Sequence, residues 1–227
     1  MTDTLLFAAI LVPCLIVAIV FHEVAHGWTA LALGDPTAKE QRRLSFNPLR
    51  HVDPVGTLLV PGGLALLGGP IFGWAKPVPV RQDRLDNPRF GMMAVAAAGP
   101  GSNLLLATIG AVVFGLYIAT VGLAEAYDSG WIYQAFMAFI VINVFLALFN
   151  LLPIPPFDGS HIVEGLLPCW LAVHWSRLQQ VGIFLLIALI ALTWAFPGSG
   201  VIENVVLPPV VWLQEKYLSL ALWVAGE

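Results

Sequence analysis

Residues 5–33, LLFAAILVPCLIVAIVFHEVAHGWTALAL, are long and apolar enough to cross a bilayer, yet they carry His22, Glu23 and His26. A hydrocarbon core takes roughly 20 apolar residues of helix. A charge at its centre costs about 2.5–3.5 kcal/mol on the insertion scale. Every backbone polar group in lipid must also be satisfied internally, so the run has to be helical. Three ionisable groups on neighbouring turns of such a helix need partners from outside it.

The rest of the chain is built the same way. Of its 227 residues, 59% are hydrophobic and only 11% charged, against about 25% charged in soluble domains. With a mean hydropathy of +0.85, its solvent must largely be lipid. The first run stops at Gly34-Asp35-Pro36, and further apolar runs cover Met92–Ala124, Trp131–Leu152 and Leu178–Phe196. The second has a Gly99-Pro100-Gly101 break near its start, the third stops at PIPP, and the fourth stops at Pro197-Gly198. The stretch Val201–Val224 carries Glu203, Glu215, Lys216 and a Pro208-Pro209 break, and either spans or lies in the interface. No basic residue precedes the first run, so it reads as a retained helix rather than a cleaved leader. Cys14 and Cys169 sit in apolar surroundings and suggest no disulfide. Basic clusters with interleaved aromatics are missing, which argues against a nucleic-acid partner.

Eight of the ten Lys and Arg residues fall in residues 35–90. By the positive-inside rule this segment is expected on the cytoplasmic side, so the first helix runs inward, the second outward and the third inward. Its middle, LLVPGGLALLGGPIFGW, is apolar but broken by glycine and proline. A full crossing would divide the basic residues between the two sides, so a re-entrant or sheet-like insertion is expected, flanked by short strands and turns at the surface in RLSFNPLRHVDP and AKPVPVRQD. The expected fold is an all-α polytopic membrane protein. It is a bundle of about five to six transmembrane helices with a short membrane-associated β or re-entrant segment. Residues 1–227 read as a single membrane-embedded domain, with the core over about 5–165 and peripheral helices over 166–227.

His22 and His26 are one helical turn apart on one face, a spacing that lets two imidazoles hold one Zn2+ with Glu23 beside a metal-activated water. Two core histidines bonded to neighbouring helices are the alternative, but each would need its own partner. A catalytic zinc takes a third protein ligand. Asp158, in FNLLPIPPFDGSH past the end of the third run, fits that role or a helix N-cap equally well on local sequence. Topology favours the ligand. The histidines lie about 10–15 Å from the inner end of the first helix, and the third helix returns to that side.

HEVAH in a first long span, NPLRHVDPVGTLLVP, GPGSN opening the next span and FNLLPIPPFDG closing the third resemble, in order, the site-2 protease family of intramembrane zinc metalloproteases. The resemblance covers about residues 5–165. It implies His22, His26 and Asp158 as ligands of one Zn2+ per chain and Glu23 as the catalytic base. It also implies Asn150, eight residues before Asp158, as a group that positions substrate or stabilises the oxyanion. The expected reaction is hydrolysis of peptide bonds within or near transmembrane segments, in a multi-pass protein of a prokaryotic cell membrane with its centre towards the cytoplasm. Many relatives carry an extra span and a PDZ or CBS domain, and this chain reads as a minimal form with neither. A strand edge within residues 40–80 is expected to capture the unwound substrate.

His51 reads as structural or gating, His161 as solvent-facing, and His174 and the tryptophans as interfacial. Asn103 and Ser102 are expected to face the bundle interior and to brace the centre by hydrogen bonds. Two other classes compete: a membrane metal transporter, whose ligands would be spread through the depth of the bilayer, and a relative that binds membrane proteins without cutting them. A protease of lipidated peptides would more typically use a glutamate as third ligand.

Overall fold

The computed structural model describes residues 2–60, 63, 75–182, 184, 186–188, 191, 200, 204 and 206–227. The described residues form helices and irregular segments, with no strand among them. Helix α1 spans Thr2–Ala32 and a short α2 spans Thr37–Glu40. Then come α3 (Pro88–Val121), α4 (Leu123–Asp128) and α5 (Trp131–Asn150). The chain continues with α6 (Asp158–Leu166), α7 (Cys169–Gln180) and α8 (Leu207–Ala225).

Among the described residues three helices, α1, α3 and α5, are long and apolar enough to cross a membrane. That is fewer than the five or six expected from the sequence. The fourth expected span, Leu178–Phe196, lies largely outside the described residues, as does most of the broken apolar insertion. The stretch near the end of the chain forms α8.

Helix α3 is the centre of the bundle and touches α1, α5, α6 and α8. Its start is set by Asn87, whose side chain accepts the Phe90 N–H, with Pro88 in the first helical position where no N–H is needed. The expected break at Gly99-Pro100-Gly101 does not occur: α3 runs continuously for 34 residues through a buried Pro100. Neighbouring helices stabilise a membrane helix that has lost one backbone bond to proline. Ala107, Ala111, Phe114 and Ile118 of α3 pack with Ile140 and Val144 of α5 and with Val210 and Ala221 of α8. Small residues on this seam let the backbones approach closely, the main source of cohesion between helices in lipid. The outer faces carry exposed Leu5, Phe7, Val12 and Trp28 on α1 and Leu105, Ile109 and Leu116 on α3.

The basic segment between α1 and α3 folds over the end of α1. Its first flank, expected as short strands and turns, holds turns but no strand: a 3-10 turn at Pro48–Arg50 is followed by a wide π turn at Pro54–Leu59. Asn47 and Asp53 open these turns by accepting backbone N–H groups. The second flank, residues 75–81, is extended but pairs with no strand. Its prolines explain why: Pro77 and Pro79 have no N–H to offer a ladder. The substrate-capturing strand edge expected in residues 40–80 is therefore absent from the described residues.

Candidate metal centre

On α1 the imidazoles of His22 and His26 lie edge to face, 4.6 Å between centroids. Both are nearly buried, with 8% and 9% of their surface exposed. The Nδ1 of His26 is 2.7 Å from the Val95 carbonyl of α3. A carbonyl can only accept, so Nδ1 carries the hydrogen. The Nδ1 of His22 is 2.7 Å from the Asn103 side-chain oxygen and donates in the same way. Each neutral ring then presents its Nε2 lone pair to the space between them.

Asp158 completes the group. It is the first residue of α6; Phe157 takes the cap position, and no side-chain cap bond is made. The cap role open on local sequence is thus not what its carboxylate does. Its Oδ2 lies 3.2 Å from His22 Nε2 and 3.4 Å from His26 Nε2, and the two Nε2 atoms are 3.0 Å apart. That oxygen is buried and has no hydrogen-bond partner. Three lone pairs, one of them anionic, converge with no proton assigned between them. Such a cluster repels itself unless a cation sits at its centre. Donors bonded to tetrahedral zinc at about 2.0–2.2 Å lie about 3.3–3.5 Å from one another. The observed separations match this to a few tenths of an ångström, and two imidazoles with one carboxylate are a zinc donor set. The residues fit the metal.

The close approach of α3 to the rings depends on Gly99. A Cβ there would lie 2.5 Å from His26 Cε1 and Nε2 and 2.6 Å from His22 Cε1. Gly159 does the same for α6, since a Cβ there would meet the Leu151 and Leu152 carbonyls. Asn103 also anchors α3 to its neighbours: its Nδ2 donates to Ala18 O of α1 and to Asn143 Oδ1 of α5.

Glu23 is half-buried beside the cluster. Its Oε2 accepts the Val78 N–H at 2.7 Å, while no hydrogen bond among the described residues engages Oε1. Val78 belongs to the extended strap of residues 75–81, which is fastened along its length. Arg43, 6% exposed, donates to the Lys76 and Pro77 carbonyls at 2.6 and 3.3 Å. The Lys76 N–H donates to His51 O, and the Arg81 N–H to Asp35 Oδ2. Burial draws the Arg43 guanidinium's pKa down, partly offset by the nearby Glu23 charge.

The other residues singled out in the sequence lie apart from the cluster. Asn150 Nδ2 donates to Leu146 O of its own helix at 2.9 Å, and no hydrogen bond joins it to the histidines or Asp158. His51 is buried and donates from Nε2 to Ser45 O, pinning the loop. His161 is near Gln179 and Glu164 on the α6–α7 side. His174 bonds to Trp170 O on the surface. Ser102 returns its hydroxyl to Gly99 O. Asn143, Gly99, Val95 and Arg43 were not marked out for the centre by the sequence; Asn143 is one of three amides in its apolar helix, and its partner lies on another helix.

Comparison with known proteins agrees with this geometry. Residues 116–192 match the model of Peptidase family M50. "Putative zinc metalloprotease YwhC" of Bacillus subtilis is 41% identical over 180 residues, covering 79% of this chain and 78% of that protein. "Putative zinc metalloprotease Rip2" of Mycolicibacterium smegmatis and its namesake in Mycobacterium tuberculosis are each 28% identical over 204 residues, 82% of this chain and 72% of theirs. No solved structure matches. With a convergent His-His-Asp cluster whose histidines lie on a membrane-length helix and a relative aligned over most of both sequences, the chain belongs to peptidase family M50, the site-2 protease family of zinc metalloproteases.

Proposed function

We propose that this protein is an intramembrane protease, cleaving peptide bonds within or near transmembrane segments of other membrane proteins. The observation that carries the reading is the position of the cluster. His22 and His26 are inside a span-length helix, six to ten residues from its Ala32 end, or about 9–15 Å at 1.5 Å per residue. A centre at that depth meets a substrate helix from the side and water from the nearer surface.

In this reading His22, His26 and Asp158 hold one zinc ion. When bound, the ion lowers the pKa of a coordinated water towards about 7 and polarises the substrate carbonyl. Glu23 accepts the proton of the attacking water on Oε1 and delivers it to the leaving amine. Its other oxygen is held by the Val78 N–H, which restrains the carboxylate. Asn150 serves the oxyanion only after its amide leaves Leu146 O, a rotation that substrate binding would have to drive. The substrate helix must unwind locally, because its peptide groups are bonded internally. The eight basic residues of segment 35–90 support a cytoplasmic side for this end of α1 by the positive-inside rule, and the whole chain acts as one membrane-embedded peptidase domain.

A metal transporter is disfavoured by the same observation, since all three ligand atoms lie within 4.8 Å of one another rather than along a path. The test compares zinc content and cleavage of a model transmembrane substrate in detergent for wild type and Glu23→Gln. The reading expects full zinc and cleavage reduced at least about a hundredfold, in the general-base range. Cleavage retained by Glu23→Gln would overturn the mechanism.

A further inference from the structure

We infer that Asn143 is a positioning residue for the metal centre, acting through Asn103 to fix which nitrogen of His22 faces the ion. This rests on the reading of His22 as a zinc ligand and concerns how that ligand is prepared.

Asn143 is fully buried in the middle of α5. Its Nδ2 donates to the Phe139 carbonyl at 2.8 Å, one turn back in the same helix. A backbone carbonyl has no hydrogen to give, so the amide cannot be reversed without setting two acceptors face to face. Oδ1 of Asn143 is therefore the atom turned towards α3. There it accepts from Asn103 Nδ2 at 2.9 Å. Asn103, also fully buried, spends its second N–H on Ala18 O at 3.1 Å. Both of its donors now point away from His22, and its Oδ1 is left against His22 Nδ1 at 2.7 Å. An acceptor at that place requires the hydrogen on Nδ1, so the Nε2 lone pair faces His26 and Asp158.

Asn103 has two anchors, and both oppose its reversal: turned over, its Oδ1 would face the Ala18 carbonyl and Asn143 Oδ1, two acceptors now 3.1 and 2.9 Å from Nδ2. Without Asn143 Oδ1 one of these two restraints is lost, and the Asn103 amide turns over more readily to offer N–H to His22 Nδ1. That nitrogen would then have to accept, the hydrogen would move to Nε2, and the ring would point a donor at the metal position. The relay thus crosses three helices, α5 to α3 to α1, and ends on the tautomer of a single ring. His26 needs no equivalent, because its Nδ1 bonds directly to the Val95 carbonyl.

The test is zinc affinity by chelator competition on purified protein in detergent, for Asn143→Leu and Asn143→Asp, with wild type and His22→Ala measured alongside. Leucine fills the same volume and deletes the acceptor. A neutral aspartic acid keeps the pattern, accepting from Asn103 and donating its O–H to Phe139 O. We expect Asn143→Leu to bind zinc at least about tenfold more weakly, the usual cost of losing a group that orients a ligating histidine. The absorption of the Co2+-loaded protein should change with it, and Asn143→Asp should stay within about threefold of wild type. Asn143→Ala, read the same way, replaces the leucine variant if that one does not fold. Zinc affinity and Co2+ spectrum unchanged in the leucine or alanine variant, with His22→Ala strongly impaired, would overturn the inference and leave the zinc site intact. Affinity lost equally in the leucine and aspartate variants would also overturn it, making Asn143 a packing residue. Undiminished zinc binding by His22→Ala would instead bring down the site reading, and the inference with it.

Discussion

At the scale of single residues the centre depends on charge in one place and on empty space in another. Asp158→Asn replaces an anionic oxygen by a neutral amide facing two lone pairs. Because Asp158 makes no cap bond, folding in detergent should stay close to wild type while zinc binding falls at least about tenfold, a difference that metal analysis beside a thermal melt resolves. Gly99→Ala should act on both properties. Its methyl would lie 2.5 Å from the His26 ring, and an overpacked interior costs about 1–3 kcal/mol. A lowered melting temperature together with weakened zinc binding is expected, and an unperturbed variant would show that α3 can retreat freely. The pairing of His22 with His26 could be read from the sequence because a helix brings residues four apart onto one face. Asp158 could be read only as one of two roles, since a cap and a ligand share the same local sequence and differ in where the carboxylate turns. Asn143 escaped, because its partner is 40 residues away and nothing local specifies it.

At the scale of elements, the join between α1 and the basic segment is organised by Asp35. Its buried carboxylate accepts from the Thr37 N–H and hydroxyl and from the Arg81 N–H. Burial alone would raise its pKa; these bonds and the nearby Arg84 charge outweigh that and hold it below its ordinary value. A carboxylate whose pKa is lowered by folding contributes stability above its unfolded pKa of about 3.9 and loses it as pH falls through the lower, folded value. Asp35→Asn should therefore destabilise the protein at pH 7, and the gap from wild type should close as melts are repeated towards pH 3. A gap constant across that range would mean that the bonds, not the charge, carry the effect. The three long helices were legible from apolar length alone. The turns expected in the flanks are present and the strands are not, because an apolar run between turn signals is the same for a paired strand and for a strap fastened by side chains. What distinguishes them is Asp35, Glu23 and Arg43 taking up the backbone groups that a neighbouring strand would have used.

For the whole molecule, lipid accounts for a surface that water would not tolerate, with leucine, phenylalanine and tryptophan exposed along α1 and α3. The proposed orientation is open to direct test. In a background with Cys14 and Cys169 changed to serine, Lys39→Cys should react only with a thiol reagent that reaches the cytoplasmic face, and Asp128→Cys only with one outside. The opposite pattern would invert the topology. The strap has a consequence of another kind. Between Pro77 and Pro79 the only backbone N–H is that of Val78, and it is turned inward to Glu23. The carbonyls of Lys76 and Pro77 are taken by Arg43. A length of bare chain beside a greasy surface is where neighbouring molecules ordinarily start to zip together, and prolines on an edge are a common guard against it. Around Val78 such a neighbour finds no N–H to pair with, so this stretch can lie against the Glu23 carboxylate in a crowded membrane with less risk of becoming a seed for clumping.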